Sequence, residues 1–486
     1  MDSGGEISPI PAPPDAGSHT RIGVDQWVAE AEERRAGRHP LQKAWEAIPQ
    51  PLQIIAFLAF ASALPFLFSS GNLFRYGLFT LLYALLALGL NVSVGFAGLL
   101  DLGFIAFYGF GAYFYGILAS PKYGIHWQAE LALPVVMVGA ALLGLVLGVP
   151  SRRLLGDYLA IVTLFFGQAF VVFVNAANPK GLTGGANGIA NVDPLNLFGY
   201  KLTTTKGYYY FTLVSFVLII GALYFISESR TGRAWRALRE DPLAAELMGM
   251  PVNRLKIMAF MFGAAIAGFT GTIFAANQTG VFPGDFDTSI LITIFAVVIL
   301  GGLGSLTGML VGAVVINVTY ELLASSNPNP SLSRWLFYLA IILVLIARMR
   351  PWLKLAAVLV GTLALGFVVH AIVSAVDASA TRGQVTNGGS LSGVMKHWAV
   401  IPQHVGDAGK WAYVGLVVAI LALTLLRGWW RALGLIPVLY LVSFVWENLL
   451  AEQPAVTRLI VFGAMLIALM AARPQGLLGT SRVEIV

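Results

Sequence analysis

FRYGLFTLLYALLALGLNVSVGFAGLLDLGFIAFYGFG, residues 74–111, carries one base, Arg75, and one acid, Asp101. A helix needs about 17–25 apolar residues to cross the hydrocarbon of a bilayer. The run 74–95 has that length, and a second run, 101–119, starts before the stretch ends. A glycine-rich junction joins them. The rest of the chain is like it: of 486 residues, 57% are hydrophobic and only 11% charged, and the mean hydropathy is +0.78. A soluble domain carries roughly 25% charged residues, so this chain could not cover its own surface in water. The expected fold class is all-α, a polytopic bundle of transmembrane helices.

Outward from 74–111, runs of similar character occur at 52–69, 131–149, 157–176, 208–227, 256–277, 286–302, 305–324, 335–347, 355–376, 411–426, 432–449 and 457–472. The runs at 101–119 and 305–324 begin in glycine-rich sequence and are expected to be re-entrant or broken. With the N-terminus placed in the cytoplasm and sides alternating at each span, twenty of the 30 Lys and Arg fall inside. That bias follows the positive-inside rule, and the even count returns the C-terminus to the cytoplasm. Residues 1–20 lack an apolar stretch and read as a disordered tail, not a signal peptide. Residues 25–47 read as a charged cytosolic or surface helix.

Topology explains the net charge of +6 better than a nucleic-acid partner does. There is no GxxxxGK[ST], so no ATP site of the P-loop kind. There is no GxSxG nucleophile motif. The six His form no HExxH, and the chain has no Cys, so neither a disulfide nor a Cys-ligated metal is expected.

Unusual glycine placement and one long basic loop remain. In NVSVGFAGLLDLGFIAFYGFG (91–111), unwound backbone at membrane depth must be buried in protein or face a cavity. Asp101, the only acid between Glu46 and Glu130, either lines a pathway or caps the next helix. In GGLGSLTGMLVG (301–312), Gly304, Gly308 and Gly312 are spaced i, i+4, i+8 and are expected to form a small-residue packing stripe, compatible with a pathway role. Asn91, Gly98, Asp101, Gly103, Gly302, Gly304 and Ser305 are the pathway candidates. Asn277 and Gln278 either join them or bond neighbouring helices. The basic loop 228–256 contains a short helix, started by Asp241-Pro242 and stopped by Gly249, of the kind that docks a cytosolic partner.

At this point the sequence resembles a family. NVSVGFAGLLDLGFIAFYGFGAY, GDYLAIVTLFFGQ, LTGGANGI, GRAWRALREDPLAAELMGMPVNRLKIMAF, ILGGLGSLTGMLVGA and RPQGLLG occur in that order. Together they resemble the permease subunits of bacterial branched-chain amino acid ABC importers, the LivM-type subunit in particular. The resemblance implies the type II-like importer permease fold. It implies that Arg236, Glu240, Asp241, Ala244, Ala245 and Gly249 form the loop that couples to an ATPase. It implies a second, LivH-type permease, two cytosolic ATPase subunits holding ATP and Mg, an extracytoplasmic solute-binding protein, and a place in the bacterial inner membrane. No cofactor or metal is expected on this chain, and no nucleic acid. The implied cargo is branched-chain amino acids or a related small polar solute such as urea or an amide. The competing function is an ion-coupled secondary transporter, for which the sequence offers mainly Asp101.

Two departures stand out. Gln168 occupies a position where the family pattern carries an acid. Residues 328–448 match nothing in the family and read as inserted spans around a polar outer loop, 377–410. The expected organisation is therefore a cytosolic segment 1–50, a permease core 51–327, the insertion 328–448, and a last permease helix with a cytosolic C-terminus in 449–486.

Overall fold

The computed structural model describes residues 50–151, 154, 156–176, 180–322, 335, 337–339, 341–342, 345–346, 352–381, 392–402, 408–426, 428–452, 463 and 476–478. The expected tail 1–20 and surface helix 25–47 lie outside the described residues, as do all but one residue of the last span, 457–472, and much of 335–347.

The chain divides into two compact units, Met1–Leu64 and Pro65–Val486. In the first, the described residues are the start of one apolar helix, α1, Gln50–Leu67. The second opens with α2, Ser70–Phe96, whose turns at Leu73–Leu78 and Asn91–Phe96 widen to π-helix. It continues through α3, Phe104–Leu118; α4, Ala129–Ser151; α5, Asp157–Ala176; and α6, Thr205–Glu228. Two short helices follow, the polar α7, Arg230–Glu240, and α8, Pro242–Leu247. Then come α9, Val252–Gln278; α10, Thr288–Gly301; and α11, Leu306–Leu322. The later segment holds α12, Trp352–Val376; α13, Ser392–Trp398; α14, Ala408–Leu425; and α15, Gly428–Glu452.

Among the described residues, eight helices are long and apolar enough to cross a membrane, and four shorter apolar ones accompany them. Every expected span from 52–69 to 305–324, together with 355–376, 411–426 and 432–449, falls on one of these twelve. The shorter length of α3 has a local cause: residues 97–103 are irregular, so the helix begins only at Phe104.

Burial sorts the helices. The apolar windows of α2 and α9 are 83% and 72% buried, whereas those of α5 and α6 are each 28% buried. The first two form the centre, and α3, α4, α10 and α11 pack around them. The outward faces of α5 and α6, with Phe165, Val172, Leu218 and Phe225 exposed, are as apolar as the interior, as lipid contact requires. Lipid tails are as apolar as leucine, so close packing must hold such helices together. Backbone contact supplies it: a Cβ on Gly271 of α9 would lie 2.2 Å from the carbonyl oxygen of Tyr108 on α3, and one on Gly308 of α11 would lie 2.2 Å from that of Gly301 on α10.

The connections gather at two ends of the bundle. At one end, β1, Ala119–Ser120, pairs with β2, Ile125–His126. There β3, Ile189–Ala190, pairs with β6, Gly280–Val281, and β4, Asn196–Leu197, with β5, Tyr200–Lys201. His126 Nδ1 and Asp193 Oδ2 are 2.5 Å apart, and Tyr208 donates to the carbonyl of Ala276 at 3.0 Å. These are the segments that strict alternation of spans puts on a common side. The opposite end gathers the 95–103 junction, α7, the 301–305 turn and 476–478.

Within the later segment, α12 and α14 pack on α15, and α13 packs on α12. The expected polar outer loop 377–410 is corrected in part: Trp398, Ala399, Val400 and Ile401 are buried. Trp398 lies over Gly366 and donates its Nε1–H to the carbonyl of Leu363 at 3.0 Å. A core of Met395, Trp398, Ala399, Ile401 and Tyr440 forms there, backed by Leu365 and Val369. Burying these large apolar side chains inside the segment outweighs leaving them in a loop.

The two kinds of glycine environment give a direct test. Gly308→Ala forces the α10–α11 hairpin apart and should cost about 1–3 kcal/mol. Gly221→Ala, where nothing lies within 4 Å, should be neutral or stabilise by up to about 1 kcal/mol. Thermal unfolding of the purified protein in detergent measures both, and equal midpoints for the two variants would contradict the packing described.

Candidate functional site

A helix end leaves carbonyls without intrahelical partners, and lipid offers none. α2 ends inside the protein, where Asn91, Val92, Ser93, Gly95 and Phe96 are buried. Its last turn is π-helical, and the chain then runs irregularly through 97–103. The amide of Ala97 donates to the carbonyl of Val92, and that of Leu99 to Ser93. The carbonyl of Gly95 is satisfied from another element: Nη1 of Arg239, in the last turn of α7, donates to it at 2.5 Å. A cation at the C-terminal end of a helix is also favoured by the helix dipole.

The second glycine turn meets the first here. Asn91 is fully buried in the π-turn, and its Oδ1 accepts from the amide of Gly304 at 2.9 Å. Gly98 has φ +70° and Gly304 φ +83°, conformations that a side chain rarely tolerates. A Cβ on Gly98 would lie 3.0 Å from Cγ of Arg239, and one on Gly304 would lie 3.0 Å from its Nη1. The arginine thus lies against both glycine turns. A third segment completes the junction. The amides of Leu477 and Leu478 donate to the carbonyls of Leu300 and Gly301, at 2.8 and 3.1 Å, capping the end of α10. Gly476 rests against the backbone of Gly302.

The structure brings together Asn91, Gly98, Gly302 and Gly304 of the expected pathway set. Ser305 is beside them, and its Oγ accepts the amide of Gly308 at 3.0 Å, which caps α11. Asp101 and Gly103 face elsewhere. Asp101 is buried and its Oδ1 accepts the amide of Gly103, the residue that precedes α3, at 3.1 Å. The amide of Leu102 donates to Thr163 Oγ1 on α5 at 3.0 Å. Asp101 therefore shapes the entry into α3. One expectation is corrected: Gly304 does not share a helix face with Gly308 and Gly312, because α11 begins only at Leu306. Gly308 and Gly312 do pack against α10. Gln168 donates from Nε2 to Thr288 Oγ1 at 2.8 Å, tying α5 to the start of α10.

The basic loop is ordered by two anchors. Trp235 is fully buried, donates from Nε1 to the carbonyl of Leu255 at 3.0 Å and meets Phe262 edge-on. Asp241 Oδ1 accepts the amides of Leu243 and Ala244 at 2.8 and 3.0 Å, which caps α8. Arg236 donates to the carbonyl of Ser227. Of the expected coupling residues, Arg236, Glu240, Asp241, Ala244 and Gly249 are exposed, but Ala245 is buried and anchors α8 from beneath. The outward ridge consists of Leu243, Leu247 and Met248, which are 67%, 80% and 80% exposed. Sequence reading missed this ridge, and it missed Arg239. The signal for Arg239 was its place four residues after Trp235, on the face of α7 that carries the buried Trp. Among the described residues no group of three His, Cys, Asp or Glu stands close enough to hold a metal ion.

Comparison with known proteins identifies the family. The model of the family described as branched-chain amino acid transport system / permease component matches residues 72–347. The chain is 38% identical over 303 residues to the high-affinity branched-chain amino acid transport system permease protein LivM of Escherichia coli K12, covering 58% of this chain and 70% of the relative. The LivM protein of Salmonella typhimurium matches with the same identity and coverage. The LivH protein of Salmonella typhimurium is 27% identical over 277 residues, covering 54% of this chain and 88% of the relative. No solved structure matches the chain.

The hydrogen bond between the two glycine turns is testable. Asn91→Leu leaves the Gly304 amide without its partner and should weaken the 302–305 turn by about 1–3 kcal/mol. Hydrogen exchange should then quicken at those amides. Unchanged exchange there would show that Asn91 does not hold the turn.

Proposed function

The chain belongs to the family of branched-chain amino acid transport system permease components, and from that membership we propose how it works inside an importer. It is a multi-pass membrane protein and a transport subunit, not an ATPase. It forms one half of a translocation pathway for branched-chain amino acids, or for a closely related small solute, in the plasma membrane of a bacterium. A LivH-type permease supplies the other half. ATP and Mg are held by two cytosolic ATPase subunits, and an extracytoplasmic binding protein delivers the cargo.

The observation that carries this proposal is the ridge of Leu243 and Leu247 on α8 with Met248 at its C-terminal end. Large apolar side chains exposed together outside the membrane-spanning helices favour a protein partner. The ridge caps the loop richest in Lys and Arg, which the positive-inside rule assigns to the cytoplasm. That orientation puts both termini inside and the end carrying β1 to β6 outside, where a binding protein would dock. ATP binding by the partner would move α8, and the difference in contact between two states is what shifts the permease between them. The helices α12 to α15 of the later segment pack on one another, and that segment is proposed to lie beside the pathway as an annex.

Co-expression with the neighbouring genes for an ATPase, a second permease and a binding protein tests the proposal. ATP hydrolysis stimulated by the loaded binding protein is expected, and uptake that an uncoupler abolishes without any co-purifying ATPase would overturn it. Replacing Leu243 and Leu247 by Asp should reduce ATPase retained on the purified permease by at least about tenfold, since burying one leucine is worth about 1.5–3 kcal/mol and tenfold corresponds to about 1.4 kcal/mol. Gly249→Arg, at a position with φ +80°, should leave membrane insertion intact while uncoupling hydrolysis from uptake.

A further inference from the structure

We propose that Arg239 is the positioning residue that joins the ATPase-docking helix to the two glycine turns of the pathway, so that neither can move without the other. This rests on the importer reading above and assigns the step that reading leaves open: how motion of α8 reaches the membrane-spanning helices.

The geometry has three parts. The first is a fixed point. Trp235 seats α7 in the core, with no exposed surface and with its Nε1–H on the carbonyl of Leu255 in the first turn of α9. The second is a moving end. Arg239 is two residues from Asp241, whose carboxylate caps α8, and the exposed ridge begins at Leu243. A push on α8 therefore arrives at Arg239 through two residues of backbone. The third is the load. The guanidinium holds the carbonyl of Gly95 at 2.5 Å and lies 3.0 Å from where a Cβ of Gly304 would be, while the stem packs along Gly98. Asn91 closes the triangle through the Gly304 amide. α2 and the 301–305 turn before α11 thus meet at one side chain that belongs to neither.

The chemistry suits arginine. A guanidinium presents several N–H donors in a fixed fork on a long stem, so one side chain reaches the carbonyl of Gly95 while its stem packs along Gly98. The ammonium of lysine is a point charge and cannot fill the same slot. The absence of side chains at Gly98 and Gly304 is what admits the arginine.

The test uses the assembled complex in proteoliposomes, with ATP hydrolysis and substrate uptake measured on the same vesicles. Arg239→Met keeps the stem and removes the hydrogen bond and the charge; Arg239→Lys keeps the charge. For Arg239→Met, uptake per ATP hydrolysed should fall about tenfold, a typical coupling factor, while hydrolysis and subunit content stay within about twofold of the unaltered complex. Arg239→Lys should fall between the two. Gly304→Ala, which crowds the guanidinium from the other side, should reproduce the loss of coupling. An unchanged ratio of uptake to hydrolysis in Arg239→Met would overturn the proposal. So would a parallel loss of assembly, hydrolysis and uptake in both Arg239 variants, which marks a residue needed only for folding. If the unaltered complex shows no ATP-driven uptake, the importer reading itself fails, and that result is seen before any variant is compared.

Discussion

A helix that stops short of the membrane surface, or bends within it, exposes carbonyls that only protein can satisfy. This constraint governs one end of the helical bundle. α2 ends in a π-turn, and the carbonyl of Gly95 is met by an arginine from a separate polar helix. α10 ends at Gly301, and its last carbonyls are met by the amides of Leu477 and Leu478. The amide of Gly304 is met by Asn91. Each break is thus repaired by an element far away in the chain, and the repairs fall at one end of the bundle. The closed hydrogen-bond set ties α2, α7, α10, α11 and the C-terminal segment into a unit.

The same constraint explains the glycines. Helices in lipid gain little from hiding apolar surface, so contact must come from backbones that approach closely. Gly271 against Tyr108 and Gly308 against Gly301 are such approaches. At the turns glycine has a second use, since Gly98 and Gly304 adopt positive φ and leave room for Arg239. Removing side chains from the backbone makes both the packing and the arginine slot possible.

The later segment follows a different logic. Its helices pack on one another, and residues 398–401 turn back into them. Tyr338 donates to the buried Glu447 at 3.3 Å, and the buried Asn448 donates from Nδ2 to the carbonyls of Val400 and Phe444. Hydrogen bonds within the segment offset part of what these polar side chains cost in a membrane interior, and they fix how the returning loop meets α15. The family match ends at residue 347, so α12 to α15 lie beyond it.

The sequence by itself determined the all-helical membrane fold and the positions of nearly every described span. Hydrophobicity acts over about 20 consecutive residues, so this information is local and needs no partner. The same holds for the cap at Asp241, the break near Gly98 and the packing of Gly308. What only the tertiary structure decided depends on pairs far apart. Gly95 and Arg239 are separated by 144 residues, and Asn91 and Gly304 by 213. No local pattern says which carbonyl Arg239 meets, that Gly304 leaves the helix face of Gly308, or that Ala245 is buried while Leu247 is exposed. Those outcomes follow from which backbone groups are left without partners when the helices assemble, and that is known only once they have packed.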